Sequence, residues 1–242
     1  MKILCSIWLI LAVLFDQCQP AQAGEAVLQA CMIDQEPWGS LAAPEASIYG
    51  EVFREIGKEI GLHIDVRAAP LVRTLDDVRT GACQFTITSW QPARADKLTL
   101  GAAFATIDYG ILPRRGLAVA AEADLHGHSV ALVRGLLLGG GFDGDPAITR
   151  IGVYGYEQAV LMTASSRADA AAGSIVTLNR LVRQHGVTDK LGPPLVLSHV
   201  TLAVQMNNAF AATGTARKID EAVDRLRQSG QAGKIIARHF GE

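Results

Sequence analysis

The chain has 242 residues, of which 49% are hydrophobic, 19% charged and 6% aromatic, enough for a sizeable core in one large or two small domains. This composition excludes disorder, collagen-like repeats and coiled coil. Its 22 Lys and Arg stand against 24 Asp and Glu with no block of like sign, so no phosphate-neutralising face is expected and nucleic acid is set aside as a partner.

Lys2 precedes an apolar run from Ile3 to Phe15, followed by a polar stretch and Ala21-Gln22-Ala23 before Gly24. That is the pattern of a secretory signal with an A-x-A cleavage site, so residues 1–23 are expected to be a signal peptide and the mature chain to reside in the periplasm. The apolar run is shorter than the roughly 20 residues needed to span a bilayer. Cys18 follows Phe15-Asp16-Gln17, which is not a lipoprotein context. Losing the signal leaves Cys31 and Cys83 in an oxidising compartment, where they can form a disulfide or remain two small buried hydrophobes. No metal and no cofactor is expected.

In chain order, Ala26 to Ile33 reads as a first strand, broken by Pro37 and Gly39 in the loop that follows. From Ser47, the apolar residues Ile48, Val52, Phe53, Ile56 and Ile60 recur every three or four positions up to Gly61, which predicts a helix. Leu62 to Ala68 alternates as a half-buried strand, and Pro70 opens a second helix with Leu71, Val72, Leu75 and Val78 on one side and Gly81 at its end. Phe85 to Ser89 is a third strand rich in β-branched residues. Strand, helix, strand, helix, strand is the pattern of a parallel sheet with right-handed crossovers, whose ligands sit beyond the carboxyl ends of the strands. Here those ends are the segments around Trp38, Pro70 to Arg73, and Ser89 to Arg94.

A second unit follows Pro113-Arg114-Arg115-Gly116. It contains a strand at Ser129 to Val133, a helix around Tyr156 to Thr163, a strand at Asp169 to Ala172 and a helix at Ile175 to His185. Leu195 to Met206 is apolar and extended, and two helices, Arg217 to Gln228 and Ala232 to Phe240, finish the chain.

Several segments in this order resemble the type 3 periplasmic solute-binding protein family, the amino-acid-binding proteins of ABC importers. They are Glu36-Pro37-Trp38, the helix opening Ser47-Ile48-Tyr49-Gly50, Gly81-Ala82-Cys83-Gln84, Gln91-Pro92-Ala93-Arg94 and Arg167-Ala168-Asp169-Ala170. The resemblance implies an α/β fold of two lobes, the type II periplasmic-binding-protein fold, each a mostly parallel sheet flanked by helices and joined by two crossing segments. On that template residues 24–112 with 203–242 form the larger lobe and 113–202 the smaller, with the ligand between them.

The resemblance makes Arg94 the holder of a ligand carboxylate, a role suited to a planar guanidinium that can donate two charge-assisted hydrogen bonds. It places Ser89 beside the same anion and Trp38 against the ligand's body. Arg73 and Arg134 lie at strand-to-helix loops facing the expected cleft. Where the family has a carboxylate for the ligand ammonium, this chain has Ser174, and Leu136 and Leu137 stand at the hydroxyl positions of the smaller lobe. An anionic or carboxylate ligand is therefore expected more than an ordinary α-amino acid.

His126-Gly127-His128 lacks a third ligand and reads as a solvated turn. Gly139 to Gly141 is not followed by Gly-Lys-Ser/Thr and is no P-loop. No Gly-x-Ser-x-Gly elbow occurs. The expectation is a monomeric, non-enzymatic binding protein that passes a small solute to an ABC permease. The alternatives are a sensor or accessory binding protein, and a dehydratase-like enzyme on the same fold, for which His199 is the candidate to mutate.

Overall fold

The computed structural model describes residues 27–241, so the expected signal segment lies outside the described residues. The first strand, β1 (Leu28–Ile33), pairs in parallel with β2 (Ile64–Ala69) from Leu28↔Ile64 to Ile33↔Ala69. Helix α1 (Ile48–Ile60) connects them. Ser47 caps it by accepting the Gly50 N–H at 3.1 Å, and Gly61 ends it at a φ of 70°, a conformation that costs a glycine nothing. Ile48, Val52, Phe53 and Ile56 are fully buried, as their spacing predicts. Helix α2 (Leu71–Thr80) leads to β3 (Phe85–Ser89), whose five residues are all buried. Val72 departs from its expected place on the apolar side and is 55% exposed.

The second unit contains β5 (Ser129–Val133), β6 (Thr149–Val153), α3 (Tyr156–Ala164), β7 (Ala170–Ser174) and α4 (Ile175–Gln184). Strand β5 pairs in parallel with both β6 and β7. The two crossing segments are the longest strands of the protein, β4 (Thr99–Pro113) and β8 (Leu195–Met206). They run antiparallel to one another, with β3 on the far side of β8 and β7 on the far side of β4. The strands of the described residues therefore join one sheet of eight in the order β2-β1-β3-β8-β4-β7-β5-β6. The chain ends in α5 (Asn208–Ala211), α6 (Gly214–Gln228) and α7 (Gln231–Phe240).

Two hydrophobic cores form on this sheet. One packs α1, α6 and α7 around Trp38, Tyr49, Phe53, Phe85, Phe104 and Phe240. The other packs α3 and α4 against β5 and β7, where Ala170, Ala171 and Ala172 let the helices approach closely. Cys31 and Cys83 are bonded to each other, with Cα atoms 5.7 Å apart, in a small buried cluster with Val78 and Leu98. Among the described residues no helix is long and apolar enough to cross a membrane.

Candidate functional site

The carboxyl ends of two parallel pairs of strands, β1 with β3 and β5 with β7, feed the seam between the two cores, each strand leading into a loop that carries polar groups. Strand β1 runs into Asp34 to Ser40, and β3 runs into Gln91 and a single 3-10 turn, Pro92–Arg94. Strand β5 runs into Arg134-Gly135, and β7 ends at Ser174, which caps α4 by accepting from the Thr177 N–H. Three side chains, Trp38, Gln35 and Gln91, make four hydrogen bonds across the seam. Trp38 Nε1 donates to Thr177 Oγ1 at 2.8 Å. Gln35 Nε2 donates to the Tyr154 carbonyl at 3.0 Å, and its Oε1 accepts the Tyr156 N–H at 3.2 Å. Gln91 Nε2 donates to the Leu137 carbonyl at 3.0 Å.

Arg94 is half-buried at this seam. One guanidinium nitrogen donates to the Ser89 carbonyl at 2.7 Å, and no carboxylate stands within ion-pair distance among the described residues. Burial lowers its pKa, and the neighbouring Tyr109 opposes that. A guanidinium stays protonated at any physiological pH, so this is a charge held in place without a countercharge. Burial raises the pKa of the Tyr109 hydroxyl, and hydrogen bonding to Ser89 and Tyr156, with the charge of Arg94, pulls it back. Ser89 Oγ is fully buried and completes no hydrogen bond of good geometry. Tyr156, also buried, accepts the Ser174 N–H at 3.4 Å, and burial raises its pKa well above the usual range. Thr177 Oγ1 lies 3.0 Å from Ser174 Oγ. This interior is built of hydroxyls around one cation, an arrangement that can receive an anion's oxygens.

The sequence-predicted residues fall into two groups. Ser89, Arg94 and Ser174 come together at the seam. Trp38 reaches it only through its indole N–H: it is 2% exposed, with its ring 5.8 Å from Tyr49 and 5.6 Å from Phe240, so the face expected to meet a ligand is packed into the core. Arg73 turns to solvent and pairs with Asp77 at 2.8 Å, four residues on, an ion pair within α2 where a group facing the cleft was expected. Arg134 is exposed on the rim, its guanidinium 4.4 Å above the Tyr154 ring, and it donates to the Gly152 carbonyl at 3.3 Å. His199 is 75% exposed and pairs with Asp108 at 2.7 Å, an open surface pair away from the seam. His126 likewise pairs with Asp145 at 2.8 Å.

Sequence reasoning missed Tyr109, Tyr156, Gln35 and Thr177. An isolated tyrosine on an apolar strand or at a helix start reads as core, and nothing in the sequence shows that β4 and the start of α3 bring two tyrosine hydroxyls together.

No family model matches the sequence, and no curated protein matches it. Several solved structures have a similar fold. The amino acid ABC transporter substrate-binding protein AbpA from Streptococcus pneumoniae, bound to L-arginine, superposes with a TM-score of 0.75 at 16% identity, covering 89% of this chain and 94% of that one. The GluR0 ligand-binding core from Nostoc punctiforme, in complex with L-glutamate, gives a TM-score of 0.76 at 17% identity over 89% of this chain and 100% of that one. A histidine kinase sensor domain with similarity to periplasmic binding proteins gives 0.72 at 19% identity over 89% and 96% of the two chains. At such identities the likeness carries the fold and leaves the ligand open. The chain has the two-lobe α/β fold of the periplasmic binding proteins, its seam holding Arg94, which has no carboxylate partner among the described residues, amid tyrosine, serine and threonine hydroxyls.

Proposed function

We propose that this chain is a periplasmic, non-enzymatic solute-binding protein of the type 3 kind. Its larger lobe, residues 24–112 with 203–242, and its smaller lobe, residues 113–202, close as a monomer on a small carboxylate-bearing solute for delivery to an ABC importer. The observation that carries this reading is Arg94, a half-buried guanidinium anchored by the Ser89 carbonyl, with no carboxylate partner among the described residues and the Tyr109 hydroxyl beside it. Ser174, where the resembled family has an acid, leaves no charge in this interior for a ligand ammonium.

A thermal-shift and calorimetric panel of carboxylates on the mature chain tests this. A ligand at a hundred times its dissociation constant adds about 2.7 kcal/mol of stability. Arg94→Ala should weaken the ligand found by roughly ten- to hundredfold, the worth of a charged hydrogen bond of about 1.5–3 kcal/mol. Unchanged affinity in that variant removes the anion anchor.

The likeness to a sensor domain favours a second reading, in which the chain reports a solute instead of delivering it. The cross-seam contacts of Gln35, Trp38 and Gln91 support it, because they hold the halves together with the protein's own side chains. Solution scattering separates the two: hinge closure on a delivered solute predicts expansion when ligand is removed, whereas halves held together by the cross-seam contacts predict unchanged dimensions. An enzymatic reading finds less support. The buried tyrosines have pKa values pushed upward and hold their protons at neutral pH, and His199 stands in open solvent.

A further inference from the structure

A groove of about 350 Å³ opens along the seam beside Arg94. Val72 and Leu75 of α2 form one wall, Leu98 forms the base, and Leu137 with Gly135 forms the wall contributed by the other half. Val72 is 55% exposed, an unusual position for an aliphatic side chain in the first turn of a helix whose other apolar residues are covered. Gly135 closes the end of the groove against it: a Cβ there would stand 2.7 Å from Val72 Cγ2 at a backbone φ of +80°, so only glycine lets the halves approach this closely.

The charges beside this apolar surface are unbalanced. Arg79 pairs with Asp76 at 2.6 Å and is neutralised. Arg94 and Lys97 also line the groove, and neither has a carboxylate within ion-pair distance among the described residues. An apolar trough ending in two uncompensated cations matches a molecule that is apolar along its length and anionic at one end.

We propose that the groove binds an amphipathic monocarboxylate, an aryl or medium-chain alkyl acid, with its carboxylate on Arg94 and Lys97 and its apolar body along Val72, Leu75, Leu98 and Leu137. This rests on the reading of Arg94 as the carboxylate anchor and names the class of solute it takes. An α-amino acid fits poorly, because its ammonium would lie beside two cations or against the aliphatic wall, and the acid that lines the groove, Asp76, is already paired with Arg79. Apolar burial is the discriminating force: each methylene laid into the groove is worth about a fourfold gain in affinity until the groove is filled.

Calorimetric titration of the mature chain with butanoate, hexanoate, octanoate and 3-phenylpropanoate, beside L-glutamate and octylamine, tests this. The expected result is a rise of about fourfold per methylene along the alkyl series and no binding of the amine. Val72→Asp, at an exposed position that leaves the core intact, should weaken octanoate at least tenfold while changing butanoate little. Lys97→Ala should weaken every acid by a few-fold. Affinity independent of chain length, or octanoate binding indifferent to Val72→Asp, overturns the proposal. If the flat series, or L-glutamate alone, still depends on Arg94, the solute-binding reading stands and only the apolar class fails. If none of the acids binds, or if octanoate binds equally to Arg94→Ala, the anchor itself fails and both readings go with it.

Discussion

The two halves of the molecule are built by different means. The half around α1, α6 and α7 is filled with aromatic side chains: Tyr49 stacks on Phe53 at 6.2 Å and Phe53 meets Phe85 edge-on at 5.3 Å, while the Cys31–Cys83 bond ties β1 to the segment before β3 in the small cluster with Val78 and Leu98. The half around α3 and α4 relies on small residues, with the alanines of β7 and Gly173 admitting the helices and the Tyr156 ring. One half is fixed by large surfaces and a covalent link, and the other by close approach. A change of the same size should therefore be felt through different mechanisms on the two sides.

The largest effect is expected from removing the covalent link. A bond closing a separation of 52 residues stabilises by about 4 kcal/mol in the chain-entropy account, so Cys31→Ala with Cys83→Ala should lower the melting temperature by several degrees. Hydrogen exchange should show the loss around β1 and β3; an equal loss around β7 would mean that the halves do not differ in this way. In the other half, Gly173→Ala puts a methyl 2.0 Å from Tyr156 Cε1 at a backbone φ of +147°. It should cost about 3 kcal/mol, measured by denaturant unfolding, because a buried ring has no room to yield. A cost below about 1 kcal/mol would show that the Tyr156 ring can move aside.

The smallest effect sharpens the contrast through pH. Asp169 accepts the N–H and hydroxyl of Ser129, each at 2.9 Å, and pairs with Arg114 at 3.0 Å. The Ser129 backbone N–H above all, helped by Arg114, holds its carboxyl down at about 2. Because this folded value lies below the ordinary carboxylate range, the stability it confers is present above about pH 4 and is lost as pH falls toward 2. Asp169→Asn should remove about 1 kcal/mol at neutral pH, allowing for solvent screening, and flatten the acid limb of the stability curve between those values. An unaltered limb would assign that slope to other carboxylates.

What the sequence disclosed follows from how each segment is covered. Helix α1 was legible because one face is buried and the other wet, and Ser47 and Gly61 mark its ends. Strand β6 was not, because it lies at the sheet's edge with Val153 its only buried residue, so no apolar run announces it. Strand β4 escaped because it has β8 alone beside it from Thr99 and gains β7 on its other side only from Tyr109, where its pattern shifts from largely open to fully buried. At the candidate site, Arg94 was readable from its motif. A surface salt bridge at Arg73 was equally readable, and its partner is Asp77, at a spacing of four on the helix. The Trp38 indole was placed correctly at the loop after β1, but its packing against Phe240 depends on the far end of the chain.

Strands β4 and β8 belong to the sheet, and on the proposed closure of the two halves they are also where the molecule would bend. A pair of hydrogen-bonded ribbons resists bending along most of its length and yields where its ladder is irregular. The β4–β8 register slips between Leu100 and Ala103, between Ala103 and Ala105, and between Tyr109 and Gly110. The last of these sits on the residue whose hydroxyl faces Arg94. Load applied at Tyr109 by anything resting on that hydroxyl is thus delivered directly to one of the irregular points of the ribbon.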